Sequence, residues 1–229
     1  NNSNMRKDNK RPTVALVLAG GGAKGMAHLG AIKVIESRGI PIDIIVGTSM
    51  GSIVGGLYSI GYTSDELLEI AQGTDWLNLI LDKPDFGSEL LTAKKNSENF
   101  LLRVSLDRSR VLSSTGGGGI IDGRNIMKLF NHLTEGLPEE ADFDKFPIRF
   151  ACVATNAISG EKYVFHEGNL ASAMRSSMAI PSVFTPVKVG DATLVDGFVV
   201  DNYPVDVARA MGADIVIGVD LVSPMTEDQ

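Results

Sequence analysis

Ile42-Asp43-Ile44-Ile45-Val46-Gly47-Thr48-Ser49-Met50-Gly51 carries an apolar, β-branched run straight into a hydroxyl held between two glycines. A buried strand that turns sharply into a helix pushes the residue at the turn into a strained, exposed position, and only glycines on either side leave room for it. Gly47 to Gly51 therefore reads as a nucleophile elbow with Ser49 as candidate nucleophile. The same spacing also suits an ordinary turn with a helix-capping serine, so the neighbouring segments have to separate the two readings.

Upstream, the apolar strand Val14 to Leu18 runs into Gly20-Gly21-Gly22-Ala23-Lys24-Gly25 and then a helical pattern through Glu36. Amide N–H groups in such a turn, at a helix N-terminus, carry partial positive charge and can hold a phosphate or a developing oxyanion. Gly20, Gly22 and Gly25 also match the dinucleotide fingerprint, with Asp43 at the expected spacing of ~20 residues. That makes a nucleotide-binding oxidoreductase the rival reading. A ribose-binding carboxylate, however, belongs at the C-terminal end of the second strand, and Asp43 precedes Ile44-Ile45-Val46. A triphosphate loop fits no better, because Lys24 precedes Gly25 and no Lys-Ser or Lys-Thr follows it. The loop reads best as an oxyanion hole, whose donors are each worth about 3 to 4 kcal/mol in acyl transfer.

Acyl transfer needs a base for the serine proton, commonly histidine. His28 lies on the helix after the glycine loop, His132 in the helical stretch Ile126 to Leu133, and His166 after the strand Tyr163 to Phe165. None has the loop context of a triad histidine. Leu194-Val195-Asp196-Gly197-Phe198 instead presents an aspartate at the end of a short strand, before Asn202-Tyr203-Pro204 opens a helix. Asp196 is the candidate base: a weak one at a carboxylate pKa near 4, but favoured in a partly dry site as charge develops on the substrate. A second Asp-Gly, Asp122-Gly123, precedes an amphipathic helix and reads as a helix cap.

Together these segments resemble the patatin-like phospholipase family, lipid acyl hydrolases with a Ser–Asp dyad. The oxyanion motif stands at Gly20 to Gly25, the elbow at Gly47 to Gly51 and the Asp-Gly motif at Asp196-Gly197. Ser176-Ser177-Met178-Ala179-Ile180-Pro181, running on to Phe184 and Pro186, resembles the family's segment between nucleophile and base. The likeness covers residues 13 to 220. Phe198 departs from the Gly or Ala usual after Asp-Gly, and a ring there would bear on substrate preference. The resemblance implies that Ser49 attacks a lipid ester carbonyl, Asp196 takes its proton, and the amides of Gly21, Gly22 and Ala23 hold the oxyanion. It implies a three-layer α/β/α patatin-like fold and no cofactor, and it leaves a homo-oligomer open, since family members self-associate. Relatives are often bacterial, some with further envelope-anchored domains, so both the cytoplasm and the cell envelope stay open as compartments. A catalytically silent lipid-binding domain on the same fold is the remaining alternative.

The 229 residues, 44% of them hydrophobic, suit one domain with a sizeable core. Apolar runs at Val14 to Leu18, Asp43 to Val46, Ile148 to Ala154 and Asp214 to Val219 alternate with helical patterns, as in an α/β domain around a mostly parallel sheet. The expected organisation is a flexible segment over 1–12, the hydrolase domain over 13–222 and a tail over 223–229. The stretch 76–119 reads either as a lid or access loop, or as a surface loop without a catalytic role. Trp76, Leu77, Leu79, Ile80 and Leu81 within it face either lipid or the core.

A net charge of −7 gives no support to nucleic-acid binding or to general attraction toward anionic membranes. The expected partner is a lipid or phospholipid met at a membrane interface. No apolar segment approaches the ~20 residues of a spanning helix. One cysteine and three scattered histidines offer no zinc-ligand spacing, and Cys152 reads as a buried small hydrophobe.

Overall fold

The computed structural model describes residues 11–82 and 121–221. Among these, a seven-stranded sheet carries helices on both faces. Strand β1 (Val14–Leu18) lies between β2 (Ile44–Thr48) and β9 (Ile215–Val219), and β2 pairs with β4 (Arg149–Asn156), all in parallel. β5 (Lys162–Phe165), β7 (Val187–Val189) and β8 (Ala192–Asp196) form an antiparallel flank. A separate two-stranded ladder joins β3 (Ala141–Asp142) to β6 (Glu167–Gly168).

Every residue of β1 and β2 is buried, as expected of continuous apolar strands covered on both faces. Alternation sorts them into two cores. Leu16, Leu18, Ile45, Phe150, Cys152 and Leu194 face the thicker helical layer. Ala15, Val17, Ile44, Val46, Ala151 and Val153 face a thin layer that is closed by Val207, Ala208 and Ala213. The thick layer holds α1 (Met26–Ser37), α2 (Met50–Ser59), α3 (Ser64–Gly73), α4 (Trp76–Ile80), α5 (Arg124–Leu133) and α6 (Leu170–Ser177). The thin layer holds α7 (Val205–Ala210). The three-layer, mostly parallel arrangement agrees with the sequence reading.

Local signals explain the helix ends, with one correction. Thr63 caps α3 in a reciprocal box with Glu66, whose carboxylate accepts from the Thr63 N–H at 2.8 Å. Asp122 does not cap α5, as its sequence context suggested. Asp82, forty-one residues before Gly123, does so: its carboxylate accepts from the N–H groups of Gly123 (2.7 Å), Arg124 (3.0 Å) and Asn125 (2.8 Å). The Asp122 carboxylate instead accepts from the Thr185 hydroxyl. In α4, Ile80 is buried, Leu79 packs against the same core, and the Trp76 indole N–H donates to the Ala71 carbonyl. These side chains pack inward. The rest of the 76–119 stretch, from residue 83, lies outside the described residues, as do 1–10 and 222–229.

The register of β4 positions the site. Val153 pairs with both Thr48 and Val164, and Ala154 with both Asp196 and Tyr163. β5 therefore takes one edge of β4, while β2 and β8 share the other. β2 runs parallel to β4 and β8 antiparallel, so their C-terminal ends meet head to head at adjacent positions, Val153 and Ala154.

Candidate active site

Ser49 follows β2 at that junction. Its φ of 52° and ψ of −121° are a sparsely populated conformation for a residue with a side chain, at a cost on the order of 1–3 kcal/mol. Surrounding contacts hold it there. Its N–H donates to the Ser177 hydroxyl at 2.8 Å, and that hydroxyl donates to the Val153 carbonyl at 2.6 Å. The Ser49 carbonyl accepts from the Ser52 N–H (2.9 Å) and hydroxyl (2.6 Å). The flanking glycines are required by close approach: a Cβ on Gly51 would lie 2.1 Å from the Leu18 carbonyl oxygen, and one on Gly47 would lie 2.3 Å from that of Gly51.

Asp196 ends β8 and meets Ser49 directly. The Ser49 hydroxyl donates to Asp196 Oδ2 at 2.8 Å, and Oδ1 accepts from the Phe198 N–H at 2.9 Å. Its backbone is fixed as well, with its N–H donating to the Ala179 carbonyl and its carbonyl accepting from the Thr155 hydroxyl, both at 2.9 Å. The residue is 1% exposed. Burial disfavours the charged form more than the two hydrogen bonds favour it, and the carboxyl pKa rises to about 7. The ordinary value near 4 expected from sequence is thereby corrected. A group that titrates near neutrality is a far better proton acceptor than a surface carboxylate.

The glycine loop closes over the same junction. Residues Gly22–Gly25 form a 3₁₀ turn leading into α1. A Cβ on Gly20 would stand 3.1 Å from Ser49 Cβ, and one on Gly25 would collide with the Met50 side chain, so both ends of the loop abut the elbow. Between them, Lys24 N–H donates to Gly21 O at 3.2 Å. Among the described residues, the N–H groups of Gly21, Gly22 and Ala23 have no protein acceptor. Such free amides at the start of a helical turn are suited to an anion. Lys24 is exposed. Gly197 tucks under the Val153 carbonyl, next to Thr48, and so brings the Asp-Gly turn against the elbow.

The structure brings Ser49, Asp196 and the glycine loop together and leaves the histidines apart. His28 is fully buried, with Nε2 2.7 Å from the Ala19 carbonyl and burial pushing its pKa down. His132 and His166 are exposed. Asp43 sits at the opposite, N-terminal end of the parallel strands, where its carboxylate accepts from the Val14 N–H and two Arg11 nitrogens. It is not placed to meet a nucleotide on the glycine loop. Sequence reading singled out the segment containing Ser177 but not its bond to the Ser49 amide. It also missed Arg175, 2% exposed, which donates to the Asp122 and Thr185 carbonyls and lies over the Phe184 ring. The Ser177–Ser49 and Arg175–Asp122 contacts join residues far apart in sequence, and no local pattern announces them.

Known proteins carry the same architecture. The chain is 31% identical over 211 residues to Lysophospholipase NTE1 of Debaryomyces hansenii, an alignment covering 92% of this chain and 12% of that protein. It is 32% identical over 210 residues to an uncharacterized NTE family protein of Mycobacterium tuberculosis, covering 92% and 49%. The chain thus spans less than half the length of either relative. Among solved structures, VipD from Legionella pneumophila superposes with a TM-score of 0.53 at 18% identity, over 85% of this chain and 47% of that one. The family model described as Patatin-like phospholipase matches residues 16–209 and so includes both strands that meet at Ser49 and Asp196. With the match extending over most of its length, the chain belongs to the patatin-like phospholipase family.

Proposed function

We infer that this chain is a serine lipid acyl hydrolase acting on phospholipid or lysophospholipid esters through a Ser49–Asp196 dyad. The observation that carries the reading is the 2.8 Å hydrogen bond from the Ser49 hydroxyl to a buried carboxylate with a pKa of about 7. As Ser49 Oγ bonds to the ester carbonyl carbon, its proton passes to Asp196 Oδ2. The carbonyl oxygen becomes an oxyanion held by the free amides of Gly21, Gly22 and Ala23. Collapse of the tetrahedral intermediate breaks the bond to the alcohol half, which leaves with the proton from Asp196. The acyl group remains on Ser49. Water then attacks the acyl-enzyme, giving its proton to Asp196, and the fatty acid departs as Ser49 regains its hydrogen.

Family membership and the lysophospholipase named among the relatives support a lipid ester as the substrate class. Phe198, Val199, Val200 and Tyr203, exposed in the segment after Asp196, would face a lipid surface. Phe198, 49% exposed, contributes its backbone N–H to Asp196 while its ring stands outward. Among the described residues no helix is long and apolar enough to cross a membrane.

Hydrolysis of a medium-chain nitrophenyl ester and of lysophosphatidylcholine by the wild type, Ser49→Ala, Asp196→Asn and His28→Ala proteins tests the reading. Activity abolished in the first two variants and retained in the third is expected. An inactive, folded wild type would favour a silent lipid-binding domain, and a fully active Ser49→Ala protein would remove the dyad.

A further inference from the structure

The glycine loop is held to the Asp196 turn by one residue that the mechanism above does not use. Gly20 N–H donates to the Asn202 carbonyl at 3.2 Å, and Asn202 Nδ2 donates back to the Gly20 carbonyl at 3.2 Å. The side-chain amide lies close against the glycine: a Cβ there would stand 2.4 Å from Asn202 Oδ1 and 3.1 Å from Ser49 Cβ. Gly20 is therefore packed between Asn202 and Ser49 at the exit of β1.

Asn202 is itself anchored to the other two parts of the site. The peptide before it is fixed by the Thr48 hydroxyl, which donates to the Asp201 carbonyl at 3.0 Å from the elbow. On the other side of that residue, Asp201 N–H donates to the Gly197 carbonyl at 2.8 Å, tying Asp201 to the Asp196-Gly197 turn. Lys162 braces the segment, donating to Asp201 Oδ2 (2.5 Å) and Asp206 Oδ2 (2.6 Å). A short circuit thus runs from the base turn through Asp201 and Asn202 to the first glycine of the oxyanion loop, with a branch to the residue before the nucleophile.

We propose that Asn202 is a positioning residue that registers the oxyanion amides against Ser49 by clamping Gly20 through its carbonyl and its side-chain amide. The clamp rests on the hydrolase reading and goes beyond it. The side chain needs both a donor for the Gly20 carbonyl and a length that fits against a residue with no Cβ, which Asn supplies. Asp keeps the shape but loses the donor and adds negative charge beside a site built for an oxyanion. Since displacement of an active group by about 1 Å can cost about 100-fold in rate, modest loosening of the loop is readable in turnover.

Short-chain nitrophenyl ester kinetics on the full chain provide the test, with melting temperatures recorded for each variant. Asn202→Ala is expected to lower kcat about tenfold and Asn202→Asp about 100-fold, with KM changed less than about twofold. In Gly20→Ala the new methyl collides with Asn202 Oδ1, so adding Asn202→Ala should leave activity at or above that of Gly20→Ala alone, a coupling that independent structural losses do not produce. Wild-type kcat in Asn202→Asp, or multiplicative losses in the double variant, would overturn the clamp. Ser49→Ala keeps the two claims apart. Activity that vanishes in Ser49→Ala but is untouched in Asn202→Asp rejects the clamp alone, whereas activity that survives Ser49→Ala rejects the hydrolase reading and the clamp with it.

Discussion

Asp43 opens β2 at the N-terminal end of the parallel strands, and Asp196 closes β8 at the other end, along the same edge of β4. Asp43 is reached by solvent and paired with Arg11, whose guanidinium hydrogen bonds hold its carboxyl below the usual range. Asp196 is sealed from water, its carboxylate meets only a serine hydroxyl and one amide among the described residues, and its pKa climbs to about 7. A charged partner in water makes a carboxylate a tie between chain segments. Dry surroundings with neutral donors bring its titration toward neutrality, where a carboxylate can accept a proton. Residue type does not separate the two carboxyls; beyond their opposite strand ends, desolvation and partner charge do.

The largest expected effect breaks the Asp196 side of this comparison. Ser49→Ala and Asp196→Asn should each lower kcat for a lipid or nitrophenyl ester by about 10⁴-fold, measured on folded protein. Removing both together should cost little more than removing one, as expected of two residues that act as a unit. Ser177→Ala should fold and lower kcat about tenfold, because the Ser49 amide loses the hydroxyl that holds the strained turn.

Stability sharpens the contrast through sign. A folded pKa raised from about 4 to about 7 means that the native state retains the proton longer than the unfolded chain. The stability Asp196 lends in its neutral form is full below the unfolded pKa and is lost as pH rises through about 7. Asp196→Asn should therefore raise the melting temperature at pH 8, by an amount corresponding to roughly 2–4 kcal/mol, and have little effect at pH 4. Asp43 behaves oppositely: its depressed pKa contributes above the unfolded value and is lost as pH falls through the folded one. Asp43→Asn is the smallest effect, with ester hydrolysis unchanged and stability at pH 7 lowered by about 1 kcal/mol or less, as for a screened surface ion pair.

Much of this was legible in the sequence where one local rule sufficed. The apolar run Val14–Leu18 is β1 to the residue, and the elbow pattern placed Ser49 between a strand and a helix as observed. Two buried apolar strands and glycines at a sharp turn leave few other arrangements. What the sequence hid depends on long-range contact. The cap of α5 comes from Asp82 and not from the adjacent Asp122, because a carboxylate arriving from another element reaches three amides at once. Ser177 meets the Ser49 amide across 128 residues, and the raised pKa of Asp196 follows from a burial that no local pattern records.

The most direct test is the pH dependence of covalent labelling of Ser49 by an alkyl fluorophosphonate, compared between wild type, Asp196→Asn and His28→Ala. With Asp196 as the base, the labelling rate should rise with pH to a midpoint near 7 in the wild type and in His28→Ala, and be reduced about 10³-fold or more, without that limb, in Asp196→Asn. Wild-type labelling in Asp196→Asn, or a midpoint that disappears only in His28→Ala, would contradict the assignment of Asp196 as the base.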